Sequence, residues 1–232
     1  MNPDYLHKTL RALSGRRPIF HSEADFQHEL ALELNQAGWA CRLEVPIEIS
    51  LKGERVKAEI DLVARSEKEG VSTAIELKYV SSKLLASFNG EEFNLAQNWG
   101  VNLSRFDCLA DWQRVASIVD SAFVQRGFAV FMTNCEDAWL RDISNAKNPP
   151  MAKEMSIHEG REFKKDVSLD WFPEAPKVGS VSGKRLHPYA PIVCPESCVC
   201  SWTDYSQVSD GKNGRFRYLI LEGRLPVANN IF

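Results

Sequence analysis

Ala58-Glu59-Ile60-Asp61-Leu62-Val63 and Thr73-Ala74-Ile75-Glu76-Leu77-Lys78-Tyr79 are the two stretches that decide the fold and the chemistry of this chain. In each, charged residues alternate with Ile and Leu. Strand side chains repeat with a period of two, so Glu59 and Asp61 share one face, and Glu76 and Lys78 share one face. The intervening Glu67-Lys68-Glu69-Gly70 is turn-like. A hairpin centred on Lys68-Glu69 sets Asp61 opposite Glu76 and Glu59 opposite Lys78. Two carboxylates facing each other across antiparallel strands, with Cβ atoms about 5 Å apart, repel unless a cation or a proton sits between them. Mg²⁺ suits the place, since it takes one or two carboxylates with a carbonyl and waters. Lys78, two residues past the second carboxylate, points to the same side, where its ammonium can hold or help deprotonate a water and offset phosphate charge. The combination points to phosphodiester hydrolysis.

Upstream, residues 22–38 read as a helix. Ser22 and Asp25 have capping-box spacing, Phe26, Leu30 and Leu34 recur every four residues, and Gly38 ends the run. At about 100° per residue, Glu23 is the one acid on the apolar face, with Glu29 and Glu33 turned away. It lies in the first turn, where the helix dipole favours an acid, and can complete the site directly or through water; Gln27 shares its face. Runs at 39–49, 56–64 and 71–80 predict a three-stranded meander. Residues 81–104 read as a lid or broken helix, because Asn89-Gly90 and Trp99-Gly100 interrupt a weak helical pattern. Cys108, Trp112, Val115, Val119 and Phe123 predict a helix that ends at Gly127 and feeds a strand over 128–133.

Residues 145–182 are polar and broken by Pro149, Pro150, Pro173 and Pro176, and read as a surface excursion. Runs at 200–208 and 216–221 flank Asp210-Gly211 and Asn213-Gly214, a hairpin signal. The expected class is α/β: a mixed central β-sheet flanked by helices, with a C-terminal β-containing extension. The core covers 1–145, and 146–232 add an irregular segment and a hairpin packed on it, most simply as one domain.

With 28 Lys and Arg against 31 Asp and Glu, the 232-residue chain has a formal charge of -3. That excludes a globally basic polyanion binder, so any nucleic-acid contact rests on a local patch. No apolar run approaches the roughly 18 residues of a bilayer span, and the N-terminus has no secretory h-region; a soluble, cytoplasmic protein is expected. Cys41, Cys108 and Cys135 are scattered as reduced thiols are. Cys194, Cys198 and Cys200, with His187, offer four soft ligands but lack a paired C-x-x-C knuckle, which disfavours zinc. Residues 179–185 are one residue short of a phosphate loop and carry Arg185 where a Mg²⁺-binding Ser or Thr belongs. Glu162-Phe163-Lys164 repeats Glu-x-Lys without the flanking strand or an upstream acid. Lys184-Arg185, and Arg215 and Arg217 beside Phe216 and Tyr218, read as a solvated strand face ahead of a nucleic-acid track. Glu59 reads as structural, a partner for Lys78 or another base.

A helix acid, then Asp61, fourteen intervening residues and Glu76-Leu77-Lys78, then a helix and a strand, resembles the PD-(D/E)XK nuclease superfamily over about residues 20–135. Ile60 stands where the motif has Pro. The resemblance implies a restriction endonuclease-like core in which Asp61 and Glu76 bind Mg²⁺, with Mn²⁺ as substitute. Leu77 lends its carbonyl, Lys78 assists the water, and Glu23 matches the helix acid. It further implies a nuclease leaving a 5′-phosphate and a 3′-hydroxyl, with nucleic acid as partner, DNA ahead of RNA, no membrane, and room for a homodimer. The superfamily includes inactive relatives, so a non-catalytic nucleic-acid-binding or protein-interaction module of the same fold is the alternative.

Overall fold

Val71–Val80 (β3) is buried along most of its length, as a strand covered on both faces must be. The computed structural model describes residues 1–51, 54–98, 100, 102–143, 151–174 and 190–223; the stretch 179–185 and His187 lie outside them. β3 sits inside a six-stranded sheet with Ala40–Leu51 (β1), Glu54–Ser66 (β2), Arg126–Thr133 (β6), Trp202–Gln207 (β11) and Arg215–Gly223 (β12), ordered β1-β2-β3-β6-β12-β11. Only β3 and β6 run parallel; the other pairings are antiparallel, so the sheet is mixed. The C-terminal hairpin therefore extends the central sheet through β12.

Two helices cover one face: Pro3–Arg16 (α1) and Glu23–Gln36 (α2). Leu6, Leu10 and Leu13 of α1 and Phe26, Leu30 and Leu34 of α2 pack on Leu62, Ile75, Leu77, Tyr79, Val130 and Tyr218. Leu103–Asp120 (α3) covers the other, where Leu109, Trp112 and Val115 meet Val80, Ala129, Phe131 and Leu221. Alternate residues of β3 thus enter different layers: Ile75, Leu77 and Tyr79 face α1 and α2, while Ala74, Glu76, Lys78 and Val80 take the α3 side. Gly127 and Gly223 let α3 lie close on the sheet. A Cβ at Gly127 would meet the Val115 carbonyl oxygen at 2.8 Å, and one at Gly223 the Ala116 Cα at 2.7 Å.

The helix expected at 22–38 is α2. Ser22 caps it by accepting the Asp25 N–H at 3.1 Å, and Gly38 follows it at φ +88°. The Asp25 carboxylate reaches past the cap to the His21 N–H, at 2.8 Å. The meander is β1 to β3. Two expectations are corrected. Residues 81–104 hold a β-hairpin, Leu84–Phe88 (β4) and Glu91–Leu95 (β5), around Asn89-Gly90, both at positive φ as a two-residue turn demands. α3 stops at Asp120 rather than Gly127, because Ala122 turns left-handed at φ +60° and leaves Phe123 outside the helix. Helix α1, capped by Asn2 and led by Pro3, was not anticipated. Between 137 and 199 the described chain forms the short helix Asp137–Leu140 (α4), one 3-10 turn and two-residue strands: Glu162–Phe163 (β7), Ser168–Leu169 (β8), Ile192–Val193 (β9) and Cys198–Val199 (β10).

Candidate active site

The site begins where β2 leaves β3. Their ladder runs from Ser66↔Val71 to Leu62↔Ile75, the register set by the turn over 67–70, and ends there. Asp61 and Glu76, and Glu59 and Lys78, are therefore not ladder partners as expected. The cause is a kink in the β1–β2 hairpin. Cys41, Leu43, Leu62 and Ala64 pack toward α1 and α2, whereas Val45, Ile47, Ala58 and Ile60 pack on the α3 side. The hairpin thus exchanges its faces across Glu44 and Asp61. Glu44 takes a left-handed φ of +49°, a conformation that costs a non-glycine residue about 1–3 kcal/mol and needs support. Gln27 supplies it: its Nε2 donates to Glu44 Oε1 and to the Asp61 carbonyl, both at 2.6 Å.

Past Ile75, β3 has β6 on one side only and an open edge on the other. Leu77 and Tyr79, two apart, send their backbone N–H groups to that edge. Each is taken by a carboxylate: Asp61 Oδ2 accepts from Leu77 at 2.6 Å, and Glu23 Oε2 accepts from Tyr79 at 2.8 Å. A strand residue sends its N–H and C=O to the same edge, so the Leu77 carbonyl is on this side too. Glu23 also holds Lys78, with Nζ at 3.3 Å from Oε2. Lys78 thus pairs with Glu23; Glu59 is exposed beside Pro46.

Glu76 lies beneath, with no side-chain exposure. A buried carboxylate needs a partner, and α3 provides Arg114. Its Nε donates to Oε1 at 3.0 Å and its second nitrogen to Oε2, a two-pronged grip. The same guanidinium nitrogen lies 3.0 Å from Asp111 Oδ1. The Asp61 carboxylate is close enough to disfavour the charge of Glu76, and Arg114 favours the charge of both. One cluster therefore joins Asp61, Glu76, Asp111 and Arg114, with Glu23 and Lys78 alongside. Lys78 and Arg114 each keep 28% of their side-chain surface in solvent, so the cluster opens outward above Glu76.

Electrostatics follows burial. Desolvation pushes Asp61 above the usual carboxylate range against the Leu77 N–H and Arg114, and pushes Glu76 well above it against Arg114. Asp111 is pushed up to about 7 by burial, opposed by Arg114 and Lys78. Burial pulls the Lys78 ammonium down, but Glu23, Asp111 and Asp107 outweigh it and hold the group charged. In this state Lys78 donates hydrogen bonds and is no base.

Asp111 and Arg114 were not anticipated. α3 was read by its apolar stripe, and Asp107, Asp111 and Arg114 run beside that stripe at i, i+4 and i+7, the spacing of one helix face. That pattern was the available signal. Among the described residues, no group of three or more His, Cys, Asp or Glu side chains is placed to hold a metal ion. What the open edge offers is a pair of acids, Asp61 and Glu76, and a backbone carbonyl, with Glu23 outside them.

Other residues singled out by sequence stand elsewhere. Phe216 and Tyr218 are core. Arg215 grips Asp204, and Arg217 is paired with Glu159 and Asp204 and lies over the Trp139 ring. Lys184-Arg185, the rest of that reading, lie outside the described residues. Glu162 is exposed on β7, away from the sheet. All six cysteines are free thiols, four of them buried. Among the described residues no helix is long and apolar enough to cross a membrane.

No family model matches the chain, and no curated protein matches it. Among solved structures, it is similar to the crystal structure of SSO0001 at 16% identity and a TM-score of 0.27. The match takes in 48% of this chain and 43% of the other, so the chain spans under half the length of that protein. A likeness of that size carries no argument about fold or function.

Proposed function

We propose that the chain is a divalent-cation-dependent nuclease with a restriction endonuclease-like core, hydrolysing phosphodiester bonds of DNA at the open edge of β3. The observation that supports this best is the pair of carboxylates, Asp61 and Glu23, on successive outward N–H groups of one strand, above a buried Glu76 and beside a charged Lys78. Asp61, Glu76 and the Leu77 carbonyl would hold Mg²⁺ or Mn²⁺, with Glu23 acting through water. The residues fit a hard cation: all donors are oxygens, and the half-buried carboxyl of Asp61 and the buried one of Glu76 are both disfavoured as anions by desolvation and both favoured by the charge of Arg114. A bound divalent ion supplies Lewis-acid stabilisation of phosphoryl charge and a lower pKa for water.

The protein's own groups do the rest. The Leu77 N–H fixes the Asp61 carboxylate, and Gln27 fixes the backbone beneath it. Lys78 donates from Nζ to a phosphoryl oxygen and offsets its charge, oriented by Glu23. By the superfamily resemblance, water would attack phosphorus in line with the 3′-oxygen, whose bond to phosphorus breaks, leaving a 5′-phosphate and a 3′-hydroxyl. The test is incubation with labelled double-stranded DNA, single-stranded DNA and RNA, followed by product-end analysis. Cleavage of DNA to 5′-phosphorylated products is expected; intact substrates throughout would refute the proposal.

One observation favours a second reading, a module of the same fold that binds nucleic acid without cutting. Arg114 occupies both oxygens of Glu76. Such a module would bind DNA with a steep salt dependence and yield no products in the same assay.

A further inference from the structure

Arg114 is in an unusual position for a structural partner. Its guanidinium meets a fully buried carboxylate, yet 28% of its side chain is in solvent at the mouth of the cluster. A cation taken up by Glu76 would meet the Arg114 charge at the same two oxygens and be repelled by it. The planar guanidinium fork that fits a carboxylate fits a phosphate equally well. Asp111 Oδ1, at 3.0 Å from the same nitrogen, gives the arginine a second anchor on its own helix when it lets go of Glu76. With every group ionised, the four acids Glu23, Asp61, Glu76 and Asp111 outweigh Lys78 and Arg114 by two charges, which is the charge a divalent ion brings.

We propose that Arg114 is a displaceable counterion: it occupies Glu76 in the ion-free protein and moves onto an incoming phosphodiester, so that nucleic acid and divalent cation load the site cooperatively. This rests on the nuclease reading and adds its regulation. The cation is disfavoured until a polyanion engages the guanidinium, which protects the ion-free protein from an uncompensated buried charge and limits cation loading to the substrate-bound state. Linkage requires the effect to be mutual, each ligand tightening the other by the same factor. The same contact also answers the second reading, because a bond that a phosphate can exchange does not block the site.

Mn²⁺ binding tests this without any reference to turnover. Free Mn²⁺ is followed by electron paramagnetic resonance during titration of wild type, Arg114→Met and Arg114→Lys, each alone and with a phosphorothioate-linked DNA duplex. Wild type is expected to bind Mn²⁺ at least tenfold more tightly with the duplex than without. Arg114→Met is expected to bind Mn²⁺ alone at least tenfold more tightly than wild type, with the duplex adding little. Arg114→Lys, which keeps a charge but loses the fork, should fall between them, and carries the test if the methionine variant does not fold. Equal Mn²⁺ affinity in wild type and the folded variants, or no effect of the duplex on wild type, overturns the counterion role and leaves the nuclease reading standing. No Mn²⁺ bound by any of the three, even with the duplex, removes both.

Discussion

The Asp61 carboxylate accepts the backbone N–H of Leu77 at 2.6 Å, across the point where β2 has stopped pairing with β3. The acid stands in for the next rung of the sheet, so its structural and chemical duties can be separated. Asp61→Asn keeps an oxygen acceptor for Leu77 and removes a half-buried charge that desolvation disfavours; it should be at least as stable as wild type by thermal unfolding. Asp61→Ala leaves the N–H without that acceptor and should cost about 1–3 kcal/mol. Equal stability of the two variants would show that the bond contributes nothing.

Gln27 is predicted to hold the kink. Gln27→Met keeps the volume but withdraws both hydrogen bonds, leaving the Asp61 carbonyl and the left-handed Glu44 unsupported. A loss of about 1–3 kcal/mol in urea denaturation is expected. Amide exchange should quicken at residues 43–45 and 60–62 ahead of the rest of the sheet. Unchanged exchange there would mean that the kink is set by packing alone.

The approach of α3 to the sheet carries Arg114 to Glu76, and it depends on Gly127. A Cβ there meets the backbone of Val115 and a methyl of Val119, neither of which is the far end of a flexible side chain. Gly127→Ala should destabilise by about 1–3 kcal/mol through overpacking, measured by chemical denaturation. A neutral result would mean that α3 can retreat freely.

How much of this was legible depended on whether the signal was local. The meander and α2 follow from periods of two and of 3.6, and the turn over 67–70 set the register correctly as far as Leu62↔Ile75. The kink has no such signal, since Glu44 is neither Gly nor Asn and the side chain that holds it, Gln27, comes from another element. α1 carries Asn2-Pro3 and Leu6, Leu10 and Leu13 at helical spacing, with Lys8 and Arg11 on the opposite face, which is a local signal of an amphipathic helix. Asn89-Gly90 reads as a helix interruption because β4 and β5, at five residues each, are too short to show an alternation of their own. Glu23, Asp61, Glu76 and Lys78 are legible as a cluster because they lie on the alternation of the strands or the buried face of α2. Arg114 was not, because a partner across a helix–sheet contact leaves no mark on the strand it serves.

The ion-free protein should lose stability as pH rises. Asp111 moves from an ordinary value of 3.8 to about 7 on folding. The unfolded chain thus gives up its proton first, and the folded state is penalised as pH climbs from about 4 to 7. The group accounts for at most about 4 kcal/mol across that window. Asp111→Asn should flatten the slope, and be more stable than wild type at pH 8 in the presence of EDTA. A pH profile unaltered by the substitution would place the titration elsewhere.

The most direct measurement is single-turnover cleavage of one labelled DNA duplex by wild type and Asp61→Asn, each with Mn²⁺ and with EDTA. Product should form only with wild type and Mn²⁺, and the asparagine variant, though folded, should fall by at least a thousandfold, about 4 kcal/mol of transition-state stabilisation. Cutting that persists in EDTA, or that Asp61→Asn leaves intact, would contradict the account.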